Sequence, residues 1–183
     1  MDRVSRQADS TKWRITLKET AGKVASGQSD GRGVRFELAT AEHVDIVVGM
    51  MRGLEDSDPE PKPFDEAKRR AIFDHFVRDS TYGKAWLIVC DEKYVGYVVL
   101  TVSFSFEYGG YDAFIDELYI AEEYRRQGIG QRAMEFVEVE AAKLGVNAIH
   151  LEVTHGNDLA IGLYRRVGYA GNQRHLMTKW LRK

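Results

Sequence analysis

Hydrophobic residues along this chain fall into two rhythms, and each change of rhythm marks a change of expected element. From Val34 the run VRFEL alternates Val34, Phe36 and Leu38 with Arg35 and Glu37, the period-two pattern of a half-buried strand. Past Thr40 the spacing widens to helical intervals, with Val44, Ile46, Val47, Met50 and Met51 apolar. Thr40 is placed to cap that helix, and Glu42 and Asp45 suit its first turn. The segment Gly53 to Pro63 holds all three prolines of the chain and four carboxylates, so the helix cannot continue unbroken through it. A second helix is predicted in FDEAKRRAIFDHFVRD, with Ala71, Ile72, Phe76 and Val77 on its apolar side.

Two β-rich runs follow, Ala85–Cys90 and Tyr94–Phe104, joined by the turn-like Asp91-Glu92-Lys93. After the turn FEYGGYD, AFIDELYI is a fourth strand. The stretch from Gly130 to Leu144 predicts a helix presenting Ala133, Phe136, Val137, Val139 and Ala141 to the core and stopping at Gly145. AIHLEV is a fifth strand, DLAIGLYRRVG a short helix ending at Gly168, and RHLMTKWL a closing strand. The order β-α-α-β-β-β-α-β-α-β predicts a mixed α/β fold: a mostly antiparallel central sheet flanked by helices.

Residues 1–33 break this patterning, with few large apolar residues, seven Lys/Arg against four Asp/Glu, and a linker-like SGQSDGRG at the end. They are expected to be a flexible N-terminal extension, leaving 34–183 as one folded domain. A composition of 44% hydrophobic and 30% charged residues is that of a globular protein, and the net charge of -2 disfavours nucleic acid as a partner. The single cysteine, Cys90, lies in an apolar run and reads as core rather than metal ligand. The N-terminus lacks the apolar region of a signal peptide and no apolar run approaches a membrane span, so the expected location is cytoplasmic, with no membrane partner.

The chemistry concentrates between Ile120 and Gln131, where a strand leads through Tyr124-Arg125-Arg126-Gln127-Gly128-Ile129-Gly130 into a helix. The first N–H groups of a helix lack internal partners and attract an anion. Glycines let the backbone approach a phosphate, and arginines match its geometry. The loop has neither the third glycine of a dinucleotide fingerprint nor the Lys-Ser/Thr of a P-loop. On these residues alone, an anion cradle and mere close packing of helix on sheet fit equally.

YRRQGIG resembles the pyrophosphate loop of the GNAT superfamily of acetyl-CoA-dependent N-acetyltransferases. LEVTHGNDLAIGLYRRVGY, Leu151 to Tyr169, is similar to the strand–Asn–helix–Leu-Tyr–Gly-Tyr segment of the same family, in the same order. The resemblance implies a strongly twisted GNAT-like acyl-CoA N-acyltransferase fold, in which the fourth and fifth strands splay to admit the pantetheine of acetyl-CoA, the co-substrate. It further implies that Leu118, Tyr119 and Ile120 line the pantetheine and acetyl group, where a strand bulge turns an N–H toward the acetyl carbonyl. Arg126, Gln127, Gly128, Ile129, Gly130 and Gln131 would cradle the pyrophosphate, Arg125 match the motif's first position, and Asn157 contact the pantetheine arm. Asn157 is equally suited to cap the helix it precedes.

Tyr164 matches the family tyrosine near the cofactor sulfur, the expected proton donor to the leaving thiolate. For the base, the adjacent Asp116 and Glu117 resemble an acidic pair of polyamine acetyltransferases. Adjacent strand residues point to opposite faces, so without a bulge only one can face the acceptor. The acidic Glu55–Glu60 loop and the aromatics Phe104, Phe106, Tyr108 and Tyr111 suggest a cationic amine, polyamine-like or aminoglycoside-like. A small-molecule amine is thus the expected partner, with a homodimer left open and no metal. A non-catalytic acyl-CoA-binding module, or an acetyltransferase of protein lysines or N-termini, are the alternatives.

Overall fold

The computed structural model describes residues 33–57, 63–171 and 175–181; the expected N-terminal extension, apart from Gly33, and part of the acidic loop (58–62) lie outside them. Five strands form one sheet in the order β1 (Val34–Leu38), β2 (Gly83–Cys90), β3 (Lys93–Ser105), β4 (Gly110–Ile120) and β5 (Ala148–Leu151). The first four pair antiparallel and β5 joins β4 in parallel. The β2–β3 hairpin turns at Asp91 and Glu92, both at positive φ, which matches the sheet's twist.

Alternation along β2 and β3 divides the core into two layers. One face of the sheet presents Leu87, Tyr97 and Val99 to α1 (Val44–Ser57) and α2 (Glu66–Arg78), which contribute Val47, Val48, Met51 and Phe73. The other presents Trp86, Val98 and Leu100 to α3 (Ile129–Lys143), whose Met134 and Val137 are fully buried, while α4 (Asp158–Arg166) adds Leu163 and Tyr164. Phe136 stacks on Phe36 at 4.2 Å and meets the Trp86 ring edge-on. Cys90 is buried, as a small apolar filler should be.

The helix faces differ in detail from the periodic reading. In α2, Phe73 takes the buried position with Phe76 and Val77 beside it, while Ala71 and Ile72 turn outward. Val139 is 55% exposed on α3, because the stripe that meets the sheet runs through Ala133, Met134, Val137 and Ala141. The first helix carries on through Gly53 to Ser57. The predicted closing strand does not form: residues 175–180 have no regular structure, and Leu176, Met177, Trp180 and Leu181 are exposed. Its apolar residues come in adjacent pairs, so either strand register would turn one of each pair to solvent.

Candidate functional site

The loop after β4 owes its shape to two residues at positive φ. Arg126 sits at φ 60 and Gly128 at φ 81, and Gly128 stands as N-cap of α3. The first hydrogen bond into the helix runs from Arg132 N–H to the Gly128 carbonyl at 3.2 Å. No side chain caps this helix, and the N–H groups of Ile129, Gly130 and Gln131 have no acceptor among the described residues. Three donors at the positive end of a four-turn helix are what an anion needs. Ile129 anchors the loop by burying its side chain beside Ile88, Cys90 and Val95.

The two glycines have separate jobs. A Cβ at Gly128 would meet nothing within 4 Å, so the space over the helix end is open. One at Gly130 would lie 3.0 Å from Leu163 Cδ2 and 3.4 Å from Ile120 Cδ1, so Gly130 lets α3 pack against α4 and β4. Arg125 is engaged structurally: Nε donates to the Ile120 carbonyl at 2.9 Å and Nη2 to Ser57 Oγ at 3.1 Å. Gln127 and Gln131 donate to the Glu123 carbonyl and Glu135 Oε1, and Arg126 is exposed.

Beside this loop the sheet opens. β5 pairs only with Asp112–Ile115, so from Asp116 onward β4 has β3 as its one strand neighbour. Leu118, Tyr119 and Ile120 therefore keep an edge of backbone groups uncovered by β5, facing the gap. The register against β3 slips here: Val99 faces Glu117 and Leu100 faces Ile115, leaving Asp116 as the extra residue of a bulge. Glu117 and Tyr119 consequently point to the α1/α2 side and Leu118 and Ile120 to the α3 side.

Across the gap, Asn157 Oδ1 accepts from Ala160 N–H at 3.1 Å and caps α4. Its amide NH₂ is left for other work. Tyr164, one turn from the end of α4, packs with Leu163 and Tyr169, and this apolar setting raises its phenol above the usual tyrosine range. It remains protonated at neutral pH. Glu117, on the other side, accepts from the buried Tyr97 phenol at 2.9 Å and lies 3.5 Å from Arg69 Nη1. Burial first, and the Glu117 charge second, push Tyr97 well above its ordinary value, so it serves Glu117 as a fixed donor.

Tyr97 and Arg69 carry no motif. Tyr97 lies 20 residues before Glu117 and meets it across the sheet, and Arg69 comes from another helix. Of the expected aromatics, Phe104 meets the rings of Phe106 and Tyr111 edge-on, while Tyr108 lies against His150. On the same side as Glu117, a cavity of about 680 Å³ opens between α2 and β3, bordered by Ile72, His75, Tyr82 and Thr101. Among the described residues no helix is long and apolar enough to cross a membrane, and no group of three metal-ligating side chains forms.

Residues 40–169 match the family model described as acetyltransferase (GNAT) family. Among solved structures, an integron cassette protein from the mobile metagenome of Cole Harbour Salt Marsh is 28% identical, with a TM-score of 0.71 over 81% of this chain and 91% of that one. A possible acetyltransferase from Clostridium difficile 630 aligns at TM-score 0.72 and 18% identity, covering 82% of this chain and 99% of its own. The aminoglycoside N-acetyltransferase AAC(6')-Iy, solved in complex with CoA, aligns at 0.68 and 11% identity over 82% and 97%. No curated protein gives a match.

Proposed function

Because the chain belongs to the acetyltransferase (GNAT) family, we propose that it moves the acetyl group of acetyl-CoA directly to a primary amine of a small cationic acceptor bound on the Glu117 side of the gap. The observation that carries this reading is the coincidence of three features at one place. An uncapped helix N-terminus with open space over Gly128 fits a pyrophosphate. The β4 edge released by β5 fits an extended amide chain. The bulge at Asp116 stands at the far end of that edge from the helix.

In this reading the backbone N–H groups of the 126–131 loop hold the pyrophosphate, the Leu118–Ile120 edge pairs with the pantetheine, and Asn157 donates to it. Bound acetyl-CoA supplies an activated thioester. The chain's own groups then handle one negative charge and two protons. Backbone N–H groups at the bulge stabilise charge developing on the carbonyl oxygen. As the N–C bond forms and the C–S bond breaks, Tyr164 gives its proton to the leaving sulfur and Glu117 draws one from the amine.

The amine side is the harder problem. A lysine-like amine with a pKa of ~10.4 is neutral in about one molecule in 2,500 at pH 7. Direct transfer from an ammonium to an ordinary carboxylate is uphill by roughly 8 kcal/mol in water. Glu117 therefore acts through a water or on an amine already stripped of solvent. Held by Tyr97 and Arg69, its carboxylate has a fixed orientation toward the acceptor side. Asp116, exposed at the bulge, sets the direction of that stretch of strand. Glu117→Gln is expected to lower kcat/KM for the amine about tenfold to a hundredfold, flatten the rise of rate with pH on the acidic side, and leave KM for acetyl-CoA unchanged.

Thiol release from acetyl-CoA with a panel of amines tests the function. Turnover with cationic amines is the expected result; a rise in Tm with CoA but no turnover on any amine would instead identify a binding module. Absence of any Tm rise with CoA or acetyl-CoA would remove the cofactor assignment.

A further inference from the structure

Ala71 and Ile72, which turn outward from α2, form with Phe76 one wall of the cavity of about 680 Å³. Tyr82, in the short turn before β2, and Val102 of β3 add apolar surface on its other sides. Its size falls in the range of small-molecule sites, roughly 300–1,000 Å³. Ile72 and Tyr82 are left 50% and 46% exposed. Two large apolar side chains kept wet around one hollow mark a place where another apolar group gains by binding. The Tyr82 ring lies 5.4 Å from that of His75, which gives the hollow an aromatic rim.

Any charge around this cavity is positive. Lys68 and His75 border it, and no carboxylate among the described residues does. A polycation would bring its second ammonium toward Lys68 with nothing there to receive it. A neutral hydrophobic group meets no such cost.

Two separate paths lead from the cavity to Glu117. On α2, Arg69 Nη1 lies 3.5 Å from the Glu117 carboxylate, and Ile72 follows Arg69 at ~4.5 Å along the helix axis. On β3, Val99 stands opposite Glu117. Thr101, which borders the cavity, is the next residue on the same face of that strand, ~7 Å away. A chain of about four carbons spans that step. An amine held at Glu117 therefore carries its substituent into the cavity.

We propose that this cavity holds the apolar body of the acceptor, so that the preferred substrate is a hydrophobic primary monoamine whose single charge is its reacting ammonium. The proposal rests on the reading that the acceptor amine lies beside Glu117. It makes Ile72 and Tyr82 specificity-determining residues for the acceptor, and it sets a polyamine at a disadvantage.

Titration calorimetry on the full chain saturated with CoA, using 4-phenylbutylamine, butylamine and 1,4-diaminobutane, tests it. The three share a four-carbon amine and differ in what the far end carries: a ring, a hydrogen or a second ammonium. 4-Phenylbutylamine is expected to bind about tenfold tighter or more than either of the others. Ile72→Asn, at a half-exposed position outside the core, should remove most of that advantage and leave butylamine within about twofold. In the unmodified protein the ring resonances of His75 and Tyr82 should move with 4-phenylbutylamine and stay in place with butylamine.

Equal affinities for 4-phenylbutylamine and butylamine, a diamine that binds as tightly as the aryl amine, or ring resonances indifferent to the aryl amine would each overturn the pocket. None of these needs a variant to fold. An Ile72→Asn protein that kept the full advantage would overturn it too. So would a dimer in sedimentation that excludes 4-phenylbutylamine and that Ile72→Asn dissociates, since the cavity would then belong to a second copy. If 4-phenylbutylamine binds as expected and no amine is acetylated, the pocket stands and the acetylation reading falls. Acetylation that favours butylamine does the reverse.

Discussion

Tyr164→Phe is expected to lower kcat by about a hundredfold or more while KM for acetyl-CoA stays within about twofold. The substitution removes one oxygen and leaves the ring that packs with Leu163 and Tyr169, so fold and cofactor surface should persist. What disappears is the donor of the proton that the released thiol, with a pKa of ~8.5, carries at neutral pH. The pH profile supplies a second signature. Burial raises the Tyr164 pKa, so the donor form is populated through neutral and mildly alkaline pH and is lost only as pH climbs past that raised value. The unmodified enzyme should therefore hold its rate on this account past the ordinary tyrosine range. Initial-rate measurements of thiol release across pH decide the matter: a kcat unmoved by the substitution would leave Tyr164 a packing residue.

Gly128→Val is expected to raise KM for acetyl-CoA about tenfold or more and to abolish most of the Tm rise that CoA gives. Two costs combine. A β-branched residue at φ 81 is strained by roughly 1–2 kcal/mol or more, and its side chain enters the open space above the α3 N–H groups. Gly130→Ala should behave differently, lowering Tm without any ligand, because its new methyl presses on Leu163 and Ile120. Thermal melts with and without CoA separate the two positions. If both variants lost only stability, the loop would be a packing device and not an anion site.

That contrast shows what the sequence could and could not express. Anion binding and close packing fit the RRQGIG stretch equally as text, because both need small residues at a helix start. In three dimensions each glycine takes one of the roles. Local signals were readable: the Thr40 and Gly145 helix limits, the Asp91-Glu92 turn, and the loop before α3 all depend on neighbours a few residues away. Contacts between distant segments were not. Nothing near Glu117 announces Tyr97 or Arg69. Arg125, similar to a family phosphate-loop arginine, turns its guanidinium to the Ile120 carbonyl and Ser57. The outward-facing Ala71, Ile72 and Val139 have a related cause: where apolar residues exceed one stripe, only the sheet decides which stripe it covers.

The extra residue at Asp116 can also be regarded as a phase shift. Up to Ile115, the even-numbered residues of β4 face the α1/α2 layer; after Asp116 the odd-numbered ones do. Removing that single residue would not shorten a strand so much as invert it. Glu117 and Tyr119 would be driven into the layer occupied by Met134 and Val137, and Leu118 and Ile120 would surface on the face that now carries Glu117. An insertion or a deletion between Ile115 and Glu117 would therefore exchange the two faces for every later residue of the strand, which no single substitution there can do.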